Sequence, residues 1–216
     1  MPEKKVAQNK PHFSKKEAIK FGFEVAKKNI LFFVKVFIIV VLFSGFSSSL
    51  RIIAAPQRQP FLYIILYLII FVINLVIGIG LIKITLEFVD GKKPKLSQLF
   101  YYKPIVRYIL ASLINGIIVF VGLLLLIIPG IILAVRLQYA TYLIIDKNLG
   151  PIEAIKTSWR ITRGNTWNLF FFGIILGLIN ILGILCLLVG LFITVPLGMV
   201  ATTFVYRKLL LQSKAA

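Results

Sequence analysis

The sequence predicts an all-α integral membrane protein of six transmembrane helices in three hairpins, with amphipathic surface helices and both termini on the cytoplasmic side. Three observations carry this reading. Of the 216 residues, 59% are hydrophobic and 15% charged, against about 45–50% and about 25% in a soluble domain. The apolar residues fall into three long blocks, and the basic residues lie in the segments between and around them. The net charge of +18 would by itself suit a nucleic acid, but the blocks between the charges make a membrane the partner and exclude a soluble nucleic-acid binder. The same composition excludes an ordinary soluble enzyme, a disordered tail and a disulfide scaffold.

Residues 1–29 form a basic cytoplasmic arm ending in an amphipathic helix, 30–206 the membrane domain and 207–216 a basic cytoplasmic tail. The first hairpin, 30–82, has a polar break at 47–60 between two apolar runs, each near the length of about 20 residues that a span needs. No small-residue cleavage site follows the first run, so it is expected to stay as a span. The second hairpin, 105–145, is 41 residues long; as one helix it would measure about 60 Å, twice the hydrocarbon thickness, so it turns inside. Pro129-Gly130 is the strongest breaker, yet a turn there leaves only 15 residues to return. A turn near Gly122 instead makes Pro129 a kink. The third hairpin, 167–206, offers the same pair of choices, between Gly183 and Gly190 or at Pro196.

Charge sets the orientation. Of the 25 Lys and Arg, only Arg51, Arg58, Lys35 and Arg136 lie outside the arm, the span ends facing it, the connectors 91–104 and 146–166, and the tail. The positive-inside rule places those segments in the cytoplasm, and the lysine-rich, cysteine-poor composition suits a bacterial cytoplasmic membrane.

An internal repeat joins two of the basic segments. Residues 16–29, KEAIKFGFEVAKKN, and 152–165, IEAIKTSWRITRGN, share Glu-Ala-Ile-Lys and the final asparagine at an offset of 136. At about 100° per residue, Lys16, Lys20 and Lys27 share one face of the first segment, and Ala18, Gly22, Val25 and Ala26 the other. In the second, Glu153, Lys156, Arg160 and Arg163 oppose Ala154, Ile155, Trp159 and Ile161. Both read as surface helices in the headgroup layer, basic face outward. The middle connector, 92–103, keeps only the basic and aromatic character. Parallel repeats of this kind disfavour an inverted-repeat transporter.

Residues 122–167 resemble a known family. Pro129-Gly130 precedes a short apolar helix holding Arg136, with Asp146 at its end. Glu153-Ala154, Ser158-Trp159, Gly164-Asn165 and Trp167 follow. This is similar to the small multi-pass bacterial family related to the membrane domain attached to some glycerophosphodiester phosphodiesterases. The resemblance implies the six-helix layout and no activity for the membrane part. The catalytic barrel of those enzymes needs a histidine and carboxylates around a metal; here His12 is the one histidine and the seven acids are scattered, so the chain is expected to be no enzyme, with no cofactor and no metal.

Polar residues inside the spans are the candidate ligand or lipid contacts, because hydrocarbon penalises them. Arg136, ten residues from Asp146, would cost at least about 2.5–3.5 kcal/mol to bury; it either binds an anionic headgroup or substrate, or caps the carbonyls of a broken helix. Lys35 can snorkel to the interface. Asn74, Asn115 and Asn180 fit interhelical hydrogen bonds or a shared polar path. Glu87 and Asp90 are expected to pair locally with Lys83 and Lys92. Trp159, Trp167, Tyr101, Tyr102, Tyr139 and Tyr142 fit an interfacial belt, Cys186 a small buried apolar position, and Pro129, Gly130, Trp159 and Asn165 structural roles. The reading that follows is a non-enzymatic membrane protein whose basic face seats on anionic lipid and whose bundle packs on itself or a membrane partner; the alternative is a transporter or channel for a small solute or lipid, lined by Arg136 and the asparagines.

Overall fold

The computed structural model describes residues 13–53, 60–186 and 189–215. His12, most of the basic arm ahead of the first helix, and the loop holding Arg58 lie outside the described residues, as does the side chain of Arg51. Every element among the described residues is helical: α1 (Lys15–Lys28), α2 (Ile30–Ile53), α3 (Pro60–Val89), α4 (Ile105–Leu125), α5 (Ile127–Leu137), α6 (Ala140–Lys147), α7 (Pro151–Ile161), α8 (Thr166–Leu185) and α9 (Leu191–Ala215), with a 3-10 helix at Leu96–Phe100.

Local chemistry sets the ends of these helices. Ser14 caps α1, its Oγ accepting the Glu17 N–H at 3.3 Å, which satisfies one of the donors a helix start leaves open. Asn29 closes α1 by donating Nδ2–H to the Val25 carbonyl at 2.9 Å, and α2 begins at the next residue. α6 stops at Asn148, a left-handed residue at φ 56°, and Pro151 opens α7 after two more residues, where proline's fixed φ suits a first helical turn.

The second hairpin turns at neither of the two expected places. Leu126, extended at φ −160° and ψ 141°, is the single residue between α4 and α5. The turn is that tight because glycines face each other across it: a Cβ on Gly122 would lie 3.1 Å from the Gly130 Cα and 2.4 Å from Leu133 Cδ1. Pro129 then falls in the first turn of α5, where its missing N–H has no partner to lose. Turning three residues earlier than Pro129 lengthens the return, α5 plus α6, to the 21 residues of Ile127–Lys147. In the third hairpin the turn lies between Gly183 and Gly190, the first of its two expected positions, and Pro196 is absorbed inside α9. Cys186, expected buried, is exposed because it caps α8 at that turn.

Four described helices are long and apolar enough to cross a membrane, Pro60–Val89, Ile105–Leu125, Ile127–Lys147 and Thr166–Leu185, fewer than the six expected. The first apolar helix is shorter over its described side chains, Ile30–Gly45, and α9 dilutes its apolar stretch with Thr202, Thr203, Arg207 and Lys208.

The chain is laid out as three units, each a surface segment followed by a helical hairpin. The segment opening each unit packs on the helix that closes the unit before it: the 3-10 helix on α3, α7 on α6, and α1 on α9. The first two contacts join chain neighbours. The third closes the ring across the whole sequence, through Ala18, Gly22 and Ala26 on α1, a Phe21–Phe204 stack at 4.7 Å and a Glu17–Lys208 ion pair at 3.1 Å. The helices that end each unit supply the centre. Ile79, Ile84 and Thr85, then Tyr139, Leu143 and Ile144, then Val200, Val205 and Tyr206 are all buried, and Thr203 Oγ1 bonds Thr85 Oγ1 at 2.9 Å between α9 and α3.

Candidate functional site

Two arginines organise the polar chemistry, and they behave differently. Arg136 lies at the end of α5, where the helix breaks before α6 and frees two carbonyls. Other residues satisfy them. Ser158 Oγ of α7 donates to the Arg136 carbonyl at 2.7 Å. Thr162 Oγ1, just past α7, lies 3.3 Å from the same oxygen while donating to the Ser158 carbonyl at 2.8 Å, and Asn115 Nδ2 of α4 approaches the Leu137 carbonyl at 3.4 Å. The guanidinium is therefore not the cap of the broken helix. It lies over the Trp159 ring, 4.0 Å from the centroid, and donates Nε–H to Thr166 Oγ1 at 3.2 Å. Among the described residues no carboxylate pairs with it. What remains is a half-buried cation stacked on an indole, its two terminal nitrogens without a hydrogen-bond partner among the described residues.

Ser158→Ala removes the 2.7 Å donor of the Arg136 carbonyl and leaves only Thr162 Oγ1, 3.3 Å away and bonded to the Ser158 carbonyl, within reach. It is expected to lower the thermal midpoint in detergent by an amount equivalent to about 1–3 kcal/mol, with helix content by circular dichroism retained below the transition; an unchanged midpoint would show that this cap carries no stability.

Arg207, near the end of α9, is committed in full. It grips Asp90 at the end of α3 through two bonds of 2.9 and 2.7 Å, and its remaining nitrogen bonds Asp146 at the end of α6. Tyr206 O–H donates to the same Asp146 oxygen at 2.9 Å. Burial works against the Arg207 charge, but the hydrogen bonds to Asp146 and Asp90 outweigh it and hold the guanidinium above the usual arginine range. Asp90 thus pairs across the bundle and not with Lys92, as local spacing suggested; Glu87 does keep Lys83 at 3.6 Å and also accepts from Gln98 at 2.7 Å. The ends of α3 and α6 meet the last turns of α9 at this knot.

The surface segments present the expected faces. Lys16, Lys20 and Lys27 on α1, and Lys156, Arg160 and Arg163 on or just after α7, are exposed, while Ala18, Gly22 and Ala26, and Ala154, Ser158 and Ile161, are buried. Trp159 departs from its expected face: it is 39% exposed and covered by Arg136. Tyr139 and Tyr142 leave the expected belt to join Tyr206 in an inner aromatic cluster, with centroids 5.5–5.8 Å apart. Trp167 and Tyr102 stay exposed.

The three asparagines do not converge. Asn74 bonds the Ile70 carbonyl of its own helix at 2.8 Å, Asn115 turns to Leu137, and Asn180 lies beside Gly198 of α9. Lys35 is exposed, Asn165 stands at the N-cap position of α8 without a side-chain cap bond and is buried, and Pro129 and Gly130 serve the hairpin turn. Arg207, Tyr206, Ser158 and Thr162 escaped sequence reasoning. One signal was present: Phe88-Val89-Asp90, Ile144-Ile145-Asp146 and Val205-Tyr206-Arg207 each place a charge after two large residues toward the C-terminal part of an inner helix.

Fold and site together define a bundle that is helical throughout its described elements, four of its described helices long and apolar enough for a membrane, with Asp90, Asp146 and Arg207 tying α3, α6 and α9. A family model described as a domain of unknown function, DUF7847, matches residues 66–215, and the chain belongs to that family. Among curated proteins it is similar to the uncharacterized protein Rv2560 of Mycobacterium tuberculosis and the uncharacterized protein Mb2590 of Mycobacterium bovis. Each is 25% identical over 166 residues, covering 77% of this chain and 51% of the relative. The chain thus spans about half the length of the curated relatives it matches. No solved structure matches it.

Proposed function

We propose that the chain is a non-enzymatic, six-span protein of a bacterial cytoplasmic membrane, with both termini cytoplasmic and a basic face that seats on anionic lipid. One observation carries this. The outward faces of α1 and α7 hold Lys16, Lys20, Lys27, Lys156 and Arg160 exposed, while Asp90 and Asp146 are spent on Arg207 inside the bundle. Lys20 has Glu24 at 4.0 Å, but the face keeps an excess of positive charge where anionic headgroups would lie, and each such residue contributes up to about 1 kcal/mol near an anionic surface. Away from the knot, Phe61, Phe120, Leu124 and Leu185 stand exposed, an outer surface suited to lipid and not to water. The likeness of residues 122–167 to the phosphodiesterase-associated membrane domain fits a membrane module without catalytic groups. The α2 and α9 helices complete the six spans in this reading, and the bundle packs on itself or on a membrane partner.

The test is lipid selectivity. Reconstituted in vesicles mixing phosphatidylglycerol with phosphatidylcholine, the wild-type chain should release with phosphatidylglycerol enriched around it, and Lys16→Gln/Lys20→Gln/Lys27→Gln should cut that enrichment several-fold. Equal enrichment in both overturns the seating of α1.

A further inference from the structure

Beside Trp159 a groove of about 460 Å³ runs between α4, α5 and α7. Its lining is Ile118, Leu133, Leu137, Ile155, Lys156 and Trp159, so a single cation borders an otherwise apolar trough. Its size lies within the range of small-ligand sites. We infer that this groove holds one phospholipid with an anionic headgroup, the phosphate at Lys156 with Arg136 close behind, and an acyl chain along Ile118 and Leu133. The inference rests on the membrane reading above but goes past general seating to a single site.

The occupant follows from charge and shape together. Lys156 is exposed, and among the described residues neither it nor Arg136 has a carboxylate partner. Arg160 and Arg163 follow on the same helix and the turn after it, against one acid, Glu153. Trp159 links the two halves of the site: its ring is a wall of the groove and also the plate on which the Arg136 guanidinium lies at 4.0 Å. An indole between hydrocarbon and headgroup is the placement tryptophan favours in membranes. Among the described residues the Arg136 terminal nitrogens have no hydrogen-bond partner, and Ser158 and Asn115 already serve the carbonyls of the broken helix. A water-soluble anion would use the cations and leave the trough unfilled, whereas a neutral lipid would fill the trough and leave the cations unpaired. An anionic phospholipid does both.

The full chain is released gently from nanodiscs of matched-chain phosphatidylglycerol and phosphatidylcholine, and retained lipid is counted by native mass spectrometry. The wild type is expected to keep one phosphatidylglycerol in preference to phosphatidylcholine. Leu133→Trp, which fills the groove, and Lys156→Gln, at an exposed position, should each reduce that adduct at least fivefold. Leu124→Trp, on a residue that is 75% exposed and outside the groove lining, should leave it unchanged. Equal retention of both lipids by the wild type, or an undiminished adduct in Leu133→Trp, overturns the site. Should Leu133→Trp misfold, as judged by its thermal midpoint, Lys156→Gln with Arg136→Gln decides alone. Loss of the adduct only in Lys16→Gln/Lys20→Gln/Lys27→Gln would overturn this site and uphold the seating of α1; loss only in the groove variants would do the reverse.

Discussion

Arg207→Gln is expected to lower the thermal midpoint of the detergent-solubilised chain by several degrees to well over ten. The exchange removes the cation that joins two carboxylates, leaving Asp90 without it and Asp146 with only the exposed Lys147 at 3.2 Å. In the folded protein the side chains of Asp146 and Arg207 are 11% and 18% exposed, so water can make up for the lost cation only in part. Removing one member of a fully buried ion pair costs about 3–5 kcal/mol; Asp90, a third exposed, reduces the expected loss here to about 2–4 kcal/mol. For a chain of this size about 1 kcal/mol moves the midpoint by ~2–4 °C. The triple exchange Asp90→Asn/Asp146→Asn/Arg207→Gln should recover much of that loss, because it removes the stranded charges together. A midpoint that stays in place in Arg207→Gln, or a triple variant worse than the single one, would show that the knot does not hold the three helices.

Two glycines on α3, one helical position apart from being neighbours, should respond in opposite senses. A Cβ built on Gly80 would lie 2.1 Å from the Leu99 carbonyl oxygen and 2.5 Å from its carbon, both backbone atoms of the 3-10 helix. That helix would have to lift off α3, so Gly80→Ala is expected to cost about 1–3 kcal/mol, as overpacking a filled interior does. A Cβ on Gly78 meets only the Tyr108 hydroxyl at 3.6 Å, an ordinary contact. Gly78→Ala should therefore be neutral or stabilising by up to about 1 kcal/mol, the ordinary gain of alanine over glycine inside a helix. Thermal unfolding of the two variants side by side checks both, and a Gly78→Ala midpoint below that of Gly80→Ala reverses the argument.

Much of the site was legible in residue order because its signals are local. The faces of α1 and α7 follow from spacing within one or two helical turns, which is why Lys16, Lys20 and Lys27 are exposed and Ala18, Gly22 and Ala26 buried as periodicity requires. The breaking of the second and third apolar blocks was equally plain, since a block twice the length of a span must turn. The place of the second turn was not. Pro129 is the conspicuous breaker in the sequence, but the turn forms at Leu126, where Gly122 and Gly130 let two helices close on each other. That choice depends on a contact between helices, which no single helix contains.

The partners of the charged groups show the same division. Local spacing paired Lys83 with Glu87 correctly and sent Asp90 to Lys92, whereas its partner is Arg207, 117 residues away. Arg136 stood out as a cation within an apolar stretch, but whether it capped the broken helix depended on Ser158, which α7 brings to the freed carbonyl.

Composition and periodicity alone determined the helical class, the apolar blocks, the one-sided distribution of charge and the outward basic faces, because each depends only on which residues lie within a few positions of one another. Tertiary structure decided the closing of three units into a ring by α1 on α9, the convergence of Asp90, Asp146 and Arg207, and the release of the Arg136 guanidinium from any capping role. Those depend on packing between helices far apart in the chain, where small residues admit close approach and a buried charge must find its partner wherever the fold brings one.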